Sequence, residues 1–94
     1  MKDGYGKLVT FDGSVFEGKW ENDRKKGRGR HSNFETGDIY VGEYIEGKRS
    51  GQGRFYDAAQ QTIYDGEWSN DRKQGEGTIL NKAGEISSGD FRAD

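Results

Sequence analysis

The sequence contains no cysteine, which excludes disulfide bonds and thiolate metal sites. It contains no apolar run that approaches the roughly 18 residues of a membrane-spanning helix. Its first residues, MKDGYGKL, do not resemble a secretory signal peptide. We therefore expect a cytoplasmic protein without redox or thiolate chemistry.

Aliphatic side chains are also scarce. Leu, Ile, Val and Phe number 15 of 94 residues, about 16%, which is below the roughly 20% at which disorder becomes a serious alternative. Disorder usually requires high net charge and few aromatic residues, whereas this chain has a net charge of −2 and 13% aromatic residues. We expect one folded domain over residues 1–94, stabilised mainly by aromatic stacking and backbone pairing. The near-neutral charge predicts no nucleic-acid partner.

The 16 glycines follow a repeat. A unit of the form aromatic-x-Gly-x-aromatic begins at residues 16, 40 and 64, with a degenerate copy at 87, and a Gly-x-Gly pair begins at 4, 27, 51 and 75. Between the two motifs lie pairs that favour two-residue hairpin turns: Asn22-Asp23, Glu46-Gly47 and Asn70-Asp71. A second turn signal precedes each aromatic unit, at Gly13, Gly37 and Gly84, with Gln61 as the exception. The pattern predicts consecutive antiparallel hairpins.

The turn pairs predict a register for each hairpin. In the first, Trp20 is expected opposite Lys25, Gly18 opposite Gly27, and Phe16 opposite Gly29. The other hairpins give the pairs Tyr44–Arg49, Gly42–Gly51, Tyr40–Gly53, Trp68–Lys73, Gly66–Gly75 and Tyr64–Gly77. Because alternate residues of a strand share one face, the rings are expected to lie over hollows that the glycines leave. Each second aromatic would stack with the cation opposite it, worth about 0.5–1 kcal/mol.

The other face of the sheet is expected to carry charges and a β-branched row. Glu17 is predicted opposite Arg28, and Glu21 opposite Arg24. The row consists of Val15, Ile39, Ile63 and Ile86. The spacing between repeats varies by one residue, which predicts a deletion or bulge in the loops that join them.

The segments FEGKWENDRKKGRG, YVGEYIEGKRSGQG and YDGEWSNDRKQGEG resemble MORN (membrane occupation and recognition nexus) repeats, with half-repeats GYGKLVTFDG and SSGDF at the two ends. We divide the chain into half-repeats at 1–15 and 87–94 and repeats at 16–39, 40–63 and 64–86. The sequence departs from the pattern at Tyr44, where Trp is usual, at Gln61, and at Ser87, where the first aromatic belongs. The resemblance implies an all-β fold of about eight strands: a single-layer, twisted antiparallel meander without helices, with an open groove lined by the aromatics. It also implies a non-catalytic role, since such repeats occur in membrane tethers, ciliary proteins, phosphoinositide kinases and cytoskeletal proteins.

The leading functional hypothesis is a scaffold that binds a protein or peptide segment on the aromatic face. Because nothing covers a single-layer sheet, we expect the outer surfaces of the rings to be accessible, and exposed apolar patches mark interaction sites. The predicted partner-binding residues are Phe16, Trp20, Lys25, Tyr40, Tyr44, Arg49, Phe55, Tyr64, Trp68 and Lys73. Phe91 extends the row, and Leu8, Phe55 and Ile79 widen it. Trp20, Tyr44 and Trp68 would be anchors, and the cations would select acidic residues.

Two alternatives remain open. The basic pairs Arg24-Lys25, Lys48-Arg49 and Arg72-Lys73 align along one edge and predict binding of an anionic phospholipid, such as a phosphoinositide, although acidic neighbours largely cancel their field. The chain could instead be a structural spacer or self-assembly unit. Residues 91–94 followed by 1–4 read in register with 20–27, which predicts head-to-tail or edge-to-edge pairing of copies, or a piece of a longer array.

The sequence gives little support for catalysis or cofactors. His31 is the only histidine, and no nucleophile or orienting acid lies near it in sequence, as a general base would require. We interpret it as a surface or groove-filling residue. Metal-ligand spacings are absent, and no dinucleotide fingerprint follows Gly27-x-Gly29. Strand alternation divides the basic run RKKGRGRH between two faces, which argues against a nucleic-acid patch.

Overall fold

The computed structural model describes residues 4–91. The predicted domain bounds at 1 and 94, and the reading of 92–94 with 1–3 as part of a hairpin, lie outside these residues. The described chain forms eight strands: β1 (Gly4–Val9), β2 (Ser14–Glu21), β3 (Arg24–Asn33), β4 (Ile39–Ile45), β5 (Lys48–Asp57), β6 (Thr62–Ser69), β7 (Arg72–Leu80) and β8 (Ile86–Phe91). None of residues 4–91 is helical.

The strands form one open antiparallel sheet in chain order, from β1 to β8. Along β2 the residues alternate between buried and exposed from Phe16 to Glu21, and β6 shows the same alternation. A period of two is expected where one face of a sheet carries the core. The predicted all-β antiparallel meander is confirmed.

The three predicted tight turns close the hairpins β2–β3, β4–β5 and β6–β7. Both residues of each turn have positive φ: 52° and 65° at Asn22-Asp23, 50° and 85° at Glu46-Gly47, and 52° and 69° at Asn70-Asp71. Positive φ at both central positions defines the type I′ turn, which matches the twist of the flanking strands. Asn, Asp and Gly tolerate this conformation best, which explains their use here.

The predicted register is correct next to each turn and wrong beyond it. Trp20 pairs with Lys25, but Gly18 pairs with Gly29 instead of Gly27, and Phe16 pairs with His31 instead of Gly29. The other hairpins shift in the same way, with the pairs Gly42–Gly53, Tyr40–Phe55, Gly66–Gly77 and Tyr64–Ile79. Tyr44–Arg49 and Trp68–Lys73 are paired as predicted.

A β-bulge causes the shift. Between the Trp20–Lys25 and Gly18–Gly29 pairs, β3 has two residues more than β2. Gly27 lies in this bulge with φ of 75°, and Gly51 and Gly75 occupy the same position with φ of 88° and 70°. Glycine adopts this left-handed backbone without steric cost. The first glycine of each Gly-x-Gly pair is therefore required by its backbone conformation, and its predicted pairing with the motif glycine is wrong.

The bulge also changes the pairing of charges on the opposite face. Glu21 pairs with Arg24 as predicted, but Glu17 pairs with Arg30 instead of Arg28. The β-branched row is confirmed, because successive cross-strand pairs connect its four members. The complete row runs across all eight strands: Val9, Val15, Ser32, Ile39, Tyr56, Ile63, Leu80 and Ile86.

The loops between repeats hold the predicted length difference. Leu8 pairs with Phe16 and Ile79 with Ser87, eight residues apart, whereas His31 pairs with Tyr40, nine residues apart. Each loop contains one left-handed residue before the aromatic strand: Gly13, Gly37, Gln61 and Gly84. Gln61 therefore adopts, with φ of 56°, the conformation for which the other three loops use glycine.

Candidate functional site: the aromatic face

Six rings form the core of the molecule on one face of the sheet, which we call the aromatic face. They are Phe16, Trp20, Tyr40, Tyr44, Tyr64 and Trp68. Neighbouring rings meet edge to face, with centroids 5.1–5.4 Å apart, in the order Trp20, Phe16, Tyr44, Tyr40, Trp68, Tyr64. Edge-to-face contacts place the positive edge of one ring on the negative face of the next. The ladder crosses repeat boundaries and joins the hairpins.

The rings are buried, so the prediction that their outer surfaces are accessible to solvent is wrong. Their exposed fractions lie between 1% for Tyr40 and 7% for Trp20. Each ring is covered by its neighbours in the ladder and by side chains of the adjacent strand, so a second layer is not needed to bury it. The rings therefore form a buried layer beneath the surface of the aromatic face, which we call its floor.

The predicted hollows beneath the rings are confirmed, although the register differs. A Cβ atom on Gly29 would lie 2.7 Å from Cζ of Phe16, and one on Gly77 would lie 2.6 Å from Cζ of Tyr64. The ring of Tyr40 occupies the corresponding place over Gly53. The bulge places each glycine two residues away from the position opposite the ring, and the ring reaches it diagonally.

Three of the buried rings donate hydrogen bonds from their polar atoms to backbone carbonyls. The hydroxyl of Tyr40 donates to the carbonyl of Glu43 at 2.9 Å, and the hydroxyl of Tyr64 donates to that of Glu67 at 2.9 Å. Nε1 of Trp68 donates to the carbonyl of Gly53 at 3.1 Å. Burial raises the pKa of Tyr40 to about 12, against the effect of Arg49, and raises the pKa of Tyr44 as well. These phenols are structural groups that stay neutral.

Three cations lie over the rings. Nζ of Lys25 is 4.6 Å from the Phe16 centroid and 5.6 Å from that of Tyr44 in the next repeat. The Arg49 guanidinium lies 4.7 Å from the Trp68 centroid, and Nζ of Lys73 lies 5.3 Å from that of Tyr64. The cations stack diagonally, so the predicted stacking of Arg49 on Tyr44 and of Lys73 on Trp68 is wrong. The contacts of Lys25 with Tyr44 and of Arg49 with Trp68 join one repeat to the next, whereas Lys73 contacts a ring of its own repeat.

Arg49 is held more firmly than a surface cation. Its Nη2 donates to the carbonyl of Asp71 at 3.0 Å, and its Nε lies 3.4 Å from Oδ1 of the same residue. That carboxylate also accepts a hydrogen bond from the backbone N–H of Arg49 at 2.8 Å. The Arg49 side chain is 28% exposed. One hairpin turn thus fixes the cation of the preceding repeat.

A shallow cavity of about 480 Å³ lies between the cations Lys25 and Arg49. Its other lining residues are His31, Asn33, Thr36, Asp38, Tyr44, Gly47, Phe55 and Asp71. We call it the face cavity. Burial lowers the pKa of Lys25, with Asp71 opposing and Arg49 reinforcing the effect. The cavity therefore brings together two cations, two carboxylates and the rings of Tyr44 and Phe55.

His31 occupies a position that is apolar in the other repeats. Leu8, His31, Phe55 and Ile79 each follow the Gly-x-Gly pair by two residues and each pairs with the first residue of an aromatic unit. Burial lowers the pKa of His31, and the charges of Lys25 and Arg49 lower it further. At neutral pH the imidazole is a neutral, half-buried part of the cavity wall.

A model of the MORN repeat matches the chain in four segments, at residues 1–15, 16–32, 40–61 and 64–82. Together the segments cover more than half of the sequence. The chain belongs to the MORN repeat family. No curated protein matches it significantly. MORN repeats are non-catalytic modules that interact with proteins or membranes.

The MORN register brings most predicted partner-binding residues together. The cations and Phe55 lie at the surface of the aromatic face, and the six rings lie beneath them. Sequence reasoning missed the role of Asp71 in holding Arg49, whereas His31 lines the face cavity, in agreement with its interpretation as a groove-filling residue. The signal for His31 was present, because its position in the MORN repeat aligns with Leu8, Phe55 and Ile79.

The basic edge divides between the two faces. Lys25, Arg49 and Lys73 stack on rings, while their neighbours Arg24, Lys48 and Arg72 point to the opposite face by strand alternation. Acidic residues lie among them: Arg24 is 3.8 Å from Glu46, and Lys26 is 2.7 Å from Glu21. Exposed ion pairs of this kind contribute about 0–1 kcal/mol. The edge therefore carries alternating charges.

The opposite face has a larger depression, of about 690 Å³, between β5 and β8. Its walls carry the carboxylates Asp65, Glu67, Glu76 and Asp90. Among residues 4–91, no group of three potential ligands could hold a metal ion. No helix in this part of the chain is long and apolar enough to cross a membrane.

Proposed function

We propose that this MORN-repeat chain is a non-catalytic interaction module that binds an acidic segment of a partner protein on its aromatic face. The observation that carries the proposal is the row of half-buried cations, Lys25, Arg49 and Lys73, stacked on a closed floor of rings. The rings support the cations and do not insert into the partner. This role replaces the predicted anchoring by Trp20, Tyr44 and Trp68.

Stacked cations favour binding in two ways. A cation held on a ring loses less conformational entropy when a partner carboxylate pairs with it. Lys25 is already half-buried in the chain, so part of the cost of removing it from water is met before a partner binds. Opposite charges across such an interface mainly determine specificity and association rate.

The face cavity would accept one apolar side chain of the partner. Phe55 and the neutral imidazole of His31 line it together with the cations Lys25 and Arg49. The arrangement fits an extended segment with one aromatic or aliphatic residue between two carboxylates. Asp38 and Asp71, which lie at the same cavity, would disfavour a segment with more closely spaced carboxylates.

The test uses a displayed library of random ten-residue peptides. Selection on the folded chain should enrich acidic peptides with one large apolar residue, and their affinity can be measured by fluorescence anisotropy. The double variant Lys25→Gln/Lys73→Gln removes two charges from the aromatic face and leaves the rings in place; it should lower affinity by about tenfold or more. Lys48→Gln/Arg72→Gln removes the same charge from the opposite face and should bind normally.

The proposal fails if selected peptides bind the Lys25→Gln/Lys73→Gln variant as tightly as the wild-type chain. Peptides that lose affinity only for the Lys48→Gln/Arg72→Gln variant would place the site on the opposite face. The cation variants are preferable to Trp20→Leu or Trp68→Leu, since both tryptophans belong to the buried core.

Anionic phospholipid is the second candidate ligand, supported by the alignment of basic pairs at the three hairpin turns. Binding would involve Arg24, Lys25, Lys48, Arg49, Arg72 and Lys73. It would weaken with added salt, because exposed charges are screened over about 8 Å at physiological ionic strength. Flotation with phosphoinositide-containing vesicles at two salt concentrations tests it. Lipid binding should fall with either double variant, whereas peptide binding should fall with only one.

A further inference from the structure

We propose that β8 of one copy pairs with β1 of the next copy as the two strands of an additional MORN hairpin, with Gly89 opposite Gly6. The partner is thus a second copy of this chain, and the contact is a sheet edge. The pairing follows the register of the internal hairpins, in which Gly18 lies opposite Gly29 and Phe16 opposite His31. By this register Ser87 lies opposite Leu8 of the next copy.

The two edge strands are the two halves of one repeat. β8 carries the motif glycine Gly89, which pairs with Gly77 on β7 as Gly42 pairs with Gly29 on β3. β1 carries the Gly-x-Gly pair Gly4 and Gly6, which β3, β5 and β7 carry inside the sheet. Among residues 4–91 the strand order runs from β1 to β8 without closure, so within this part of the chain neither edge strand has the hairpin partner that the internal strands have.

The contacts within residues 4–91 do not explain why residue 89 is a glycine. A Cβ atom on Gly18, Gly42 or Gly66 would lie 2.7, 2.5 or 2.6 Å from Cα of the facing glycine, so these internal pairs require glycine on both strands. A Cβ atom on Gly89 would meet nothing within 4 Å, and Gly89 is not among the residues with positive φ. If Gly89 faces Gly6 of another copy, a Cβ atom at position 89 would collide with that glycine, which explains why residue 89 is a glycine.

The β1 edge already has the shape that a hairpin partner requires. Gly4 has φ of 88°, like the bulge glycines Gly27 (75°), Gly51 (88°) and Gly75 (70°). In the internal repeats the bulge belongs to pairing within the hairpin, because Gly27 pairs regularly with Tyr44 on its other side. Gly4 pairs regularly with Trp20 in the same way. The left-handed backbone of Gly4 therefore gives β1 the conformation needed to pair with another strand on the side opposite β2.

We call the contact between β8 of one copy and β1 of the next the seam. It is predicted to be weaker than the pairing within an internal hairpin. Phe16, Tyr40 and Tyr64 each cover the glycine of the following strand, but the corresponding residue of β8 is Ser87. An edge strand nevertheless presents backbone N–H and C=O groups that favour pairing with another strand. Because the contact is heterologous, each copy can bind one copy at β1 and another at β8, which produces head-to-tail assemblies of more than two copies.

The first experiment measures assembly of the 94-residue chain by sedimentation velocity over a concentration series. We expect wild-type protein to form dimers and longer species as the concentration rises. Gly89→Ala should weaken association by about tenfold or more while the circular dichroism and thermal midpoint of the dilute chain stay unchanged. Ser88→Ala, on the same strand but the opposite face, is the matched control and should assemble normally.

A second variant strengthens the seam. Ser87→Tyr restores the ring that the internal repeats place over the facing glycine, and should tighten association by about tenfold. Ser88→Tyr adds the same exposed ring to the opposite face and should not. A strict monomer for both the wild-type and Ser87→Tyr chains at high concentration would overturn the proposal, as would equal assembly of Gly89→Ala and wild type.

Cysteine pairs test the register directly, since the chain has no cysteine of its own. A mixture of Ser87→Cys and Leu8→Cys copies should form a mixed disulfide in a thiol redox buffer, because these positions are predicted to face each other. A mixture of Ser87→Cys and Lys7→Cys copies places the thiols on opposite faces and should not. Equal cross-linking of the two mixtures would refute the predicted seam.

Discussion

The ring of Tyr64 lies across the backbone of Gly77 and leaves no room for a side chain there. A Cβ atom on Gly77 would lie 2.6 Å from Cζ and Oη of the ring. The ring is 2% exposed and its hydroxyl is bonded to the carbonyl of Glu67. Glycine weakens an isolated strand, but here its absent side chain allows a single-layer sheet to bury an aromatic residue.

Gly77→Ala is expected to destabilise the chain by about 1–3 kcal/mol, the usual cost of overpacking a closed site. The added methyl group must displace the Tyr64 ring, which has no free volume to enter. Urea denaturation followed by tryptophan fluorescence measures the change. Gly89→Ala at a concentration where the chain is monomeric is the control, and equal losses for the two variants would contradict the role of the ring.

Phe16→Tyr is expected to stabilise the chain by about 0.5–1.5 kcal/mol, the net value of a typical hydrogen bond. Tyr40 and Tyr64 occupy the same position in the next two repeats and donate to the carbonyl three residues further along. The ring of Phe16 lies over its glycine in the same manner, so a new hydroxyl should reach the carbonyl of Lys19. The reverse variant, Tyr40→Phe, should lose a similar amount of unfolding free energy.

The turns and the two faces could be predicted because they depend on local preferences. Asn22-Asp23 favours a left-handed turn whatever surrounds it, and alternation then assigns each residue to a face. The register could not be predicted from the turn alone, because the bulge at Gly27 is a matter of backbone conformation. Each Gly-x-Gly pair contains two glycines, but a ring needs only one of them as the hollow beneath it. The other glycine was the signal in the sequence for a bulge.

Burial of the rings could not be predicted from spacing within one hairpin. The ladder depends on contacts between repeats, such as Phe16 with Tyr44, and on the diagonal course of Lys25 onto both rings. These contacts arise from the pairing of β3 with β4, whose register the turn pairs do not determine. The cations, rather than the rings, consequently form the surface that a partner meets.

His31→Phe is expected to reduce the dependence of stability on pH between about 7.5 and 5. Burial, Lys25 and Arg49 lower the pKa of His31 in the folded chain, and Asp12 opposes them. The unfolded chain therefore binds the proton more readily, so wild type loses stability as the pH falls below the unfolded value of about 6.5. The variant lacks this loss.

Unfolding free energies of both chains, measured across that pH range, test the expectation. The stability difference in favour of His31→Phe should increase as the pH decreases. Only the wild-type chain has a group at this position that binds a proton more readily in the unfolded state than in the folded state. A difference that stays constant from pH 7.5 to 5 would show that the imidazole titrates alike in the folded and unfolded chains. Carboxylates titrate in both proteins and cancel in the comparison.

Gln61→Gly is expected to stabilise the chain by up to about 1 kcal/mol. Gln61 has φ of 56° at a place where three other loops use Gly13, Gly37 and Gly84, and a left-handed backbone costs a residue with a Cβ atom roughly 1–2 kcal/mol. Glycine removes that cost, but it also increases the conformational entropy of the unfolded chain, which offsets part of the gain in stability. Gln60→Gly changes the same loop at a residue without positive φ, so it brings only the added freedom and should destabilise. Thermal and urea unfolding of the two variants should therefore shift in opposite directions from wild type, and shifts in the same direction would mean that Gln61 bears no strain.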